Sequence, residues 1–188
     1  MNLKNLSFIF IFFITKNIFS CETFNQEQKR LENLINNLER QSAEAEELSL
    51  KAKNLYRNSI PTYNDFGAAL NMITIGYLYK LSGEKYMEAG DYTKAANNYS
   101  QSSYMYCIAA KIYKKLLQPF YAKNCLEASI YLNILSRSIY EDEYLYDNAG
   151  EQNNLAAQKI PLMNRLIIDS RNSQNLLAED SSICIFDR

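Results

Sequence analysis

From Phe24 to Leu55 the apolar residues recur every seven positions, with Phe24, Leu31, Leu38, Ala45 and Ala52 in one register and Leu34, Leu48 and Leu55 in the other. Only Glu27 and Gln41 interrupt the pattern, and the flanking stretches are charged (QEQKR, LERQ, EAEE, KAK). A sustained seven-residue repeat predicts one long amphipathic helix, able to pair with a second copy or to fold back on the helices after it. Ala45 and Ala52 let a neighbouring helix approach closely and favour folding back. Pro61 disfavours helix in the residue before it, which ends the segment near Asn58. Ile60 to Asp65 (IPTYND) reads as a linker, with Asn64 or Asp65 capping a second helix from about Phe66 to Ala89. Gly90-Asp91-Tyr92 is a turn, Gly90 closing one helix and Asp91 starting the next. A third helix from about Thr93 meets no breaker before Gln118-Pro119, and a fourth follows from about Phe120 to Tyr140. Glu141-Asp142-Glu143 then leads into Asp147-Asn148-Ala149-Gly150, a turn cluster, and Pro161 is placed to open a last helix through about Leu177.

These segments predict an all-α protein of antiparallel helical hairpins behind a long N-terminal heptad helix. Composition agrees: with 3 Pro and 5 Gly in 188 residues, and 47% of them hydrophobic, breakers are too few for the many turns of an all-β fold. The expected organisation is a leader over 1–20, the amphipathic helix over 21–60, a helical domain over 61–178 and a loosely held tail over 179–188. With 20 basic and 21 acidic residues the formal charge is -1. No global field draws such a chain to nucleic acid or anionic lipid, so partner choice is expected to be local.

Lys4 precedes an apolar run, Leu6 to Thr15 (LSFIFIFFIT), that has the length of a signal-peptide core and about half the roughly 20 residues of a membrane span. Ile18-Phe19-Ser20-Cys21 comes next, a small residue immediately before a cysteine. The arrangement resembles a bacterial lipobox of the loose form seen in spirochaetal lipoproteins. That resemblance implies an acylated Cys21 as the first mature residue, tethered to a membrane the chain does not cross. Cleavage after Ser20 without lipid gives the same mature start, so the chain is expected to be exported either as a lipoprotein or as a periplasmic or secreted protein. Ile18, Phe19 and the nearby Lys16 depart from the usual lipobox pattern.

With Cys21 lipidated, Cys107, Cys125 and Cys184 are left, an odd number. Cys107 and Cys125 lie in apolar helical stretches and are expected to be buried free thiols. The chain has no His and no CxxC, so no structural metal and no cofactor is expected.

Gly76 to Ala109 resembles a tetratricopeptide repeat. Tyr79 takes the large aromatic position of its first helix, Gly83 the small position where two helices touch and Tyr86 the next aromatic. Gly90 and Tyr92 form the turn. Ala95 is the small residue of the second helix at the crossing, Tyr99 its aromatic, and Ser102 stands where a small residue is usual. Ser82 replaces the usual Leu, and Cys107 occupies the place of the helix-ending Pro. A weaker echo follows at Tyr106, Ala110, Tyr113 and Ala122. The resemblance implies a protein or peptide partner bound along the first helix of the hairpin, at Tyr77, Lys80, Glu84, Met87 and Glu88. The same residues also suit a solvated face, or one covered by the N-terminal helix.

No nucleophile elbow, phosphate loop or dinucleotide glycine motif is present, and Glu141-Asp142-Glu143 lacks the alternating ligands of a calcium loop. No catalytic residue is therefore assigned. The expected function is an exported scaffold that holds another envelope protein or peptide. A structural protein that self-assembles through Leu31, Leu34 and Leu38 and a secreted surface adhesin stay open as alternatives.

Overall fold

The computed structural model describes residues 21–59 and 65–171, and of residues 21–25, 167 and 169–171 the backbone alone. The expected leader over 1–20, Pro61, Asn64, Leu177, Cys184 and the expected tail over 179–188 lie outside the described residues. Five helices follow one another, α1 (Cys21–Asn58), α2 (Phe66–Glu88), α3 (Tyr92–Lys115), α4 (Pro119–Asp142) and α5 (Tyr146–Arg171), and no strand occurs among the described residues. The chain divides into two compact units, Met1–Glu39 and Arg40–Arg188. In the first, the described side chains are exposed apart from Ile35 and Leu38, which are half-buried. Leu34 is 53% exposed and Leu31 38%, and polar neighbours pair along the helix at Arg30–Glu27 and Gln28–Glu32.

In the second unit the heptad register of Leu31 and Leu38 continues in α1 as Ala45 and Ala52. Ala45 and Ala52 are fully buried, Ala45 in a cluster with Tyr86, Tyr99 and Leu132 and Ala52 in one with Met72, Ile112 and Tyr113. Side chains as small as these leave the α1 backbone within reach of α2, and the Ser82 hydroxyl donates to the Ala45 carbonyl at 2.7 Å. Asp65 caps α2 as expected, its Oδ1 accepting from the Ala68 amide. Helices α2 to α5 then pack antiparallel, each against its neighbours in sequence.

The turns between them share one hydrogen-bonding scheme. The second residue after the helix end takes a left-handed conformation, and its amide and the next one bond back to carbonyls of the last turn. After α2 this is Gly90 (φ 75), with Asp91 N donating to Tyr86 O at 2.9 Å. After α3 it is Leu117 (φ 56), with Gln118 N to Tyr113 O at 2.9 Å, and after α4 it is Tyr144 (φ 60), with Leu145 N to Tyr140 O at 2.8 Å. Glycine adopts this conformation without strain, whereas a Cβ makes it costlier by roughly 1–2 kcal/mol.

Two expectations need correction. Asp147-Asn148-Ala149-Gly150 is not a turn but the opening of α5, because the left-handed Tyr144 has already reversed the chain and Ala149 is buried. Pro161 does not open a helix; it lies inside α5. Gln152, Ala156 and Lys159 before it and Leu166 beyond it are buried at helical spacing, so packing carries the helix through. The proline is exposed, and so is Ala157, the residue four positions back whose carbonyl loses its helical donor and can turn to water.

Candidate partner-binding face

The α2–α3 hairpin is built on two glycines. A Cβ on Gly83 would stand 2.9 Å from the Tyr99 ring, and one on Gly76 would stand 3.2 Å from the Tyr106 ring and from Met105 Cβ. Two aromatic rings of α3 therefore lie directly on the α2 backbone, and the Ser102 hydroxyl closes the contact by donating to Gly76 O at 2.6 Å. The aromatic and small residues singled out in the sequence divide accordingly. Tyr79, Gly83, Tyr86, Ala95, Tyr99 and Ser102 are buried, Gly90 makes the turn, and Tyr92 opens α3 with 43% of its surface exposed. Burial pushes the Tyr99 phenol up to about 12, with Glu84 and Tyr131 adding to the effect.

The residues named for partner binding are not displayed equally. Tyr77 is 50% exposed. Lys80 Nζ meets Glu84 Oε1 at 3.0 Å, and this hydrogen bond raises the Lys80 pKa. Glu88 pairs with Lys85, whose ammonium also reaches Gln41 Oε1 of α1. Met87 is partly buried, packed against the cluster around Tyr86 and Tyr99. Tyr77 and Glu88 are thus exposed, Lys80 and Glu84 stand half-buried as a pair, and Met87 is the member drawn into the core.

Sequence reasoning missed two members of this face. Tyr106, seated on Gly76, is half-buried; burial raises its pKa, with Tyr77 and Lys80 close enough to act on it in opposite directions. Tyr131 of α4 is 61% exposed and close enough to act on Tyr99. A signal existed for Tyr106, because the ring over Gly76 repeats the Tyr99–Gly83 contact one helix segment away. Tyrosine rings beside a Lys–Glu pair offer flat apolar area and hydroxyls that both donate and accept, which suits an extended peptide or a helix.

The strongest chemical constellation lies elsewhere, between α3, α4 and α5. Ser103 and Ser129 each donate to the other's backbone carbonyl at 2.7 Å, and Lys159 Nζ donates to both hydroxyl oxygens, at 3.0 and 2.8 Å. Burial pushes the Lys159 ammonium down to about 8. A serine beside a lysine of lowered pKa has the parts of an activated nucleophile. Here, however, both hydroxyl protons are committed to carbonyls and both serines are closed off, Ser129 at 0% exposure and Ser103 at 1%. The same seam carries Asn133 and Gln152, which keep one amide atom each without a hydrogen-bond partner. Of the two expected free thiols, Cys125 is one, buried and pushed up to about 11. Cys107 is disulfide-bonded, which corrects the other.

A shallow cleft of about 520 Å³ lies along α5 alone, lined by Tyr146, Asp147, Gly150, Glu151, Asn154, Leu155 and Gln158. Among the described residues no group of three or more acidic or cysteine side chains could hold one metal ion, and no helix is long and apolar enough to cross a membrane. Comparison of the chain with protein-family models, with curated proteins and with solved structures gave no match.

Proposed function

We propose that this chain is an exported, non-catalytic scaffold that holds another envelope protein or peptide on the tyrosine face of its tetratricopeptide-like hairpin. The observation that carries the reading is the display of Tyr77 and Tyr131, at 50% and 61% exposure, beside the Lys80–Glu84 pair on a frame that the glycine contacts make rigid. Export is supported by the leader pattern and by the disulfide at Cys107, a bond that persists in oxidising compartments. Cys21 would carry the lipid, and that anchor alone would join the protein to a membrane.

The test is photo-crosslinking in the source cells from a benzophenone side chain placed at position 131, with mass spectrometry of the adduct. One protein captured in native cells and lost with Tyr77→Ser supports the reading. Capture unchanged by that substitution, or no adduct, overturns it. A second reading has its own observation: Leu31 and Leu34 stand exposed on α1. Paired arms of two copies would cover them, and Leu34→Lys would then abolish a dimer.

A further inference from the structure

Within the α2–α5 bundle the last helix is held by weaker means than its neighbour. Among the described residues the apolar side chains that α5 buries are Ala149, Ala156 and Leu166, two of them single methyl groups. By comparison, α4 buries Leu126, Ile130, Leu132, Ile139 and Tyr140. The other buried positions described on α5 are polar, Gln152 at 5% exposure and Lys159 at 8%.

Neither polar residue is matched by its surroundings. Gln152 Oε1 has no hydrogen-bond partner among the described residues, nor has the buried Asn133 Nδ2 of α4. The Lys159 ammonium rests on the neutral hydroxyls of Ser103 and Ser129, at 3.0 and 2.8 Å, with no acidic side chain paired to it among the described residues. Moving a charge out of water onto neutral acceptors costs more than such bonds return. The helix itself is interrupted as well. Pro161 lies inside α5 and supplies no amide, so the Ala157 carbonyl lacks its helical donor. At its start α5 hangs on the turn at Tyr144, whose left-handed conformation (φ 60) can relax once the helix is free. The Arg137 bond to Asn153 that crosses from α4 is exposed and adds little.

We infer that α5 is a releasable cover, which lifts from α3 and α4 as a unit on the Glu143–Leu145 turn while α2, α3 and α4 stay folded. The frame beneath it is joined without its help. Gly76, Gly83 and Ser102 fasten α3 to α2, and the Ser103–Ser129 exchange and Ser136 Oγ, which donates to Ala96 O at 2.8 Å, fasten α4 to α3. Release returns the Lys159 ammonium and Gln152 Oε1 to water and leaves the Ser103 and Ser129 oxygens open as acceptors. Openings of this kind lie below the global unfolding free energy and keep a second state within reach of a folded protein. The tyrosine face on α2, α3 and α4 does not include α5, so the cover stands apart from the partner proposed for that face.

The test is native-state hydrogen exchange of the purified chain, its disulfide intact, at neutral pH over a series of low urea concentrations. Amides of α5 are expected to exchange at least about tenfold faster than those in the middle of α3 and α4, with a weaker urea dependence, because one helix exposes little surface on lifting. Two substitutions separate local from global opening. Ser102→Ala weakens the α2–α3 contact, which survives when α5 lifts, so it should speed exchange in α3 and leave α5 unchanged. Lys159→Met should slow exchange in α5 by up to about 300-fold, the ratio in proton affinity between an ammonium at 10.5 and one at about 8. One common rate and urea dependence for α3, α4 and α5, or an α5 that speeds up with Ser102→Ala as much as α3 does, means that the bundle opens only as a whole and overturns the proposal. An α5 that exchanges no more slowly in Lys159→Met overturns it too. So does a Lys159→Met chain that has lost its helical circular dichroism, since the lysine would then hold the seam rather than loosen it.

Discussion

Two helix contacts in this molecule solve the same problem by different chemistry. Between α2 and α3 the backbones come together because Gly76 and Gly83 have no side chain in the way, and aromatic rings of α3 cover them. Between α3, α4 and α5 the contact is polar: Ser103 and Ser129 exchange hydrogen bonds with each other's carbonyls, and a buried lysine is held over both. The first contact gains from packing and apolar burial. The second loses part of that gain to desolvating a charge, because the Lys159 ammonium donates to two neutral hydroxyl oxygens, and two charge-assisted hydrogen bonds offset the loss only in part. The α2–α3 contact is therefore expected to fail when something is added to it, and the α3–α5 seam to improve when its charge is taken away.

The largest expected effect tests that second half. A lysine moved from 10.5 to about 8 carries a cost of about 3 kcal/mol at neutral pH, so Lys159→Met should stabilise the fold by an amount of that order in urea titrations. The pH dependence checks the cause. Because Lys159 is depressed in the folded chain, the unfolded chain holds the extra proton between about pH 8 and 10.5, and this group adds stability as pH rises through that window. Cys125 and Tyr99 are raised by burial and act the other way, losing stability from their unfolded values of 9.0 and 10.0 upward. The diagnostic quantity is the difference between native chain and Lys159→Met, which should shrink from pH 8 to 10.5; a constant difference would show that the ammonium is not the source. Next comes Gly83→Val, which drives a side chain into the Tyr99 ring and should cost about 2 kcal/mol, read as a fall in the urea midpoint. Ser102→Ala removes one buried hydrogen bond to Gly76 O and should cost about 1 kcal/mol. The smallest is Tyr144→Gly. Relief of the left-handed strain is partly offset by the freedom glycine gains on unfolding, for a net gain of about half a kcal/mol in Tm-derived stability.

The α2–α3 contact was legible in the sequence and the seam was not. Gly83, Tyr99 and Gly90 are punctuation in a short stretch, so a residue type and its neighbour within one hairpin disclosed the geometry. Asp65 at the start of α2 was legible for the same reason. Lys159 looked like any surface lysine because its partners stand 56 and 30 residues away, and no local pattern joins them. Pro161 misled because a proline signals a helix start and an exposed helix interior with the same letter; burial on the opposite side decided between them. Leu117 and Tyr144 were unreadable as turn residues, since their backbone conformation is set by the carbonyls of the preceding turn rather than by their own preference. Of the candidate binding face, Tyr77, Lys80 and Glu84 came from the resemblance, while Tyr131 could be found only by bringing α4 beside α3.

The turns after α2, α3 and α4 also bear on how the molecule comes into being. Each is a few residues long and closes through bonds to the helix just completed, and among the described residues the extensive contacts of α2 to α5 run between consecutive helices, with the Lys159–Ser103 bond reaching past a neighbour. Nothing in that stretch has to wait for a distant strand to arrive. Each hairpin can seat itself as soon as its second helix is made, so this part of the chain is expected to assemble from one end to the other on the fast time scale of local contacts. A nascent chain, made from its N-terminus, follows that order without rearrangement.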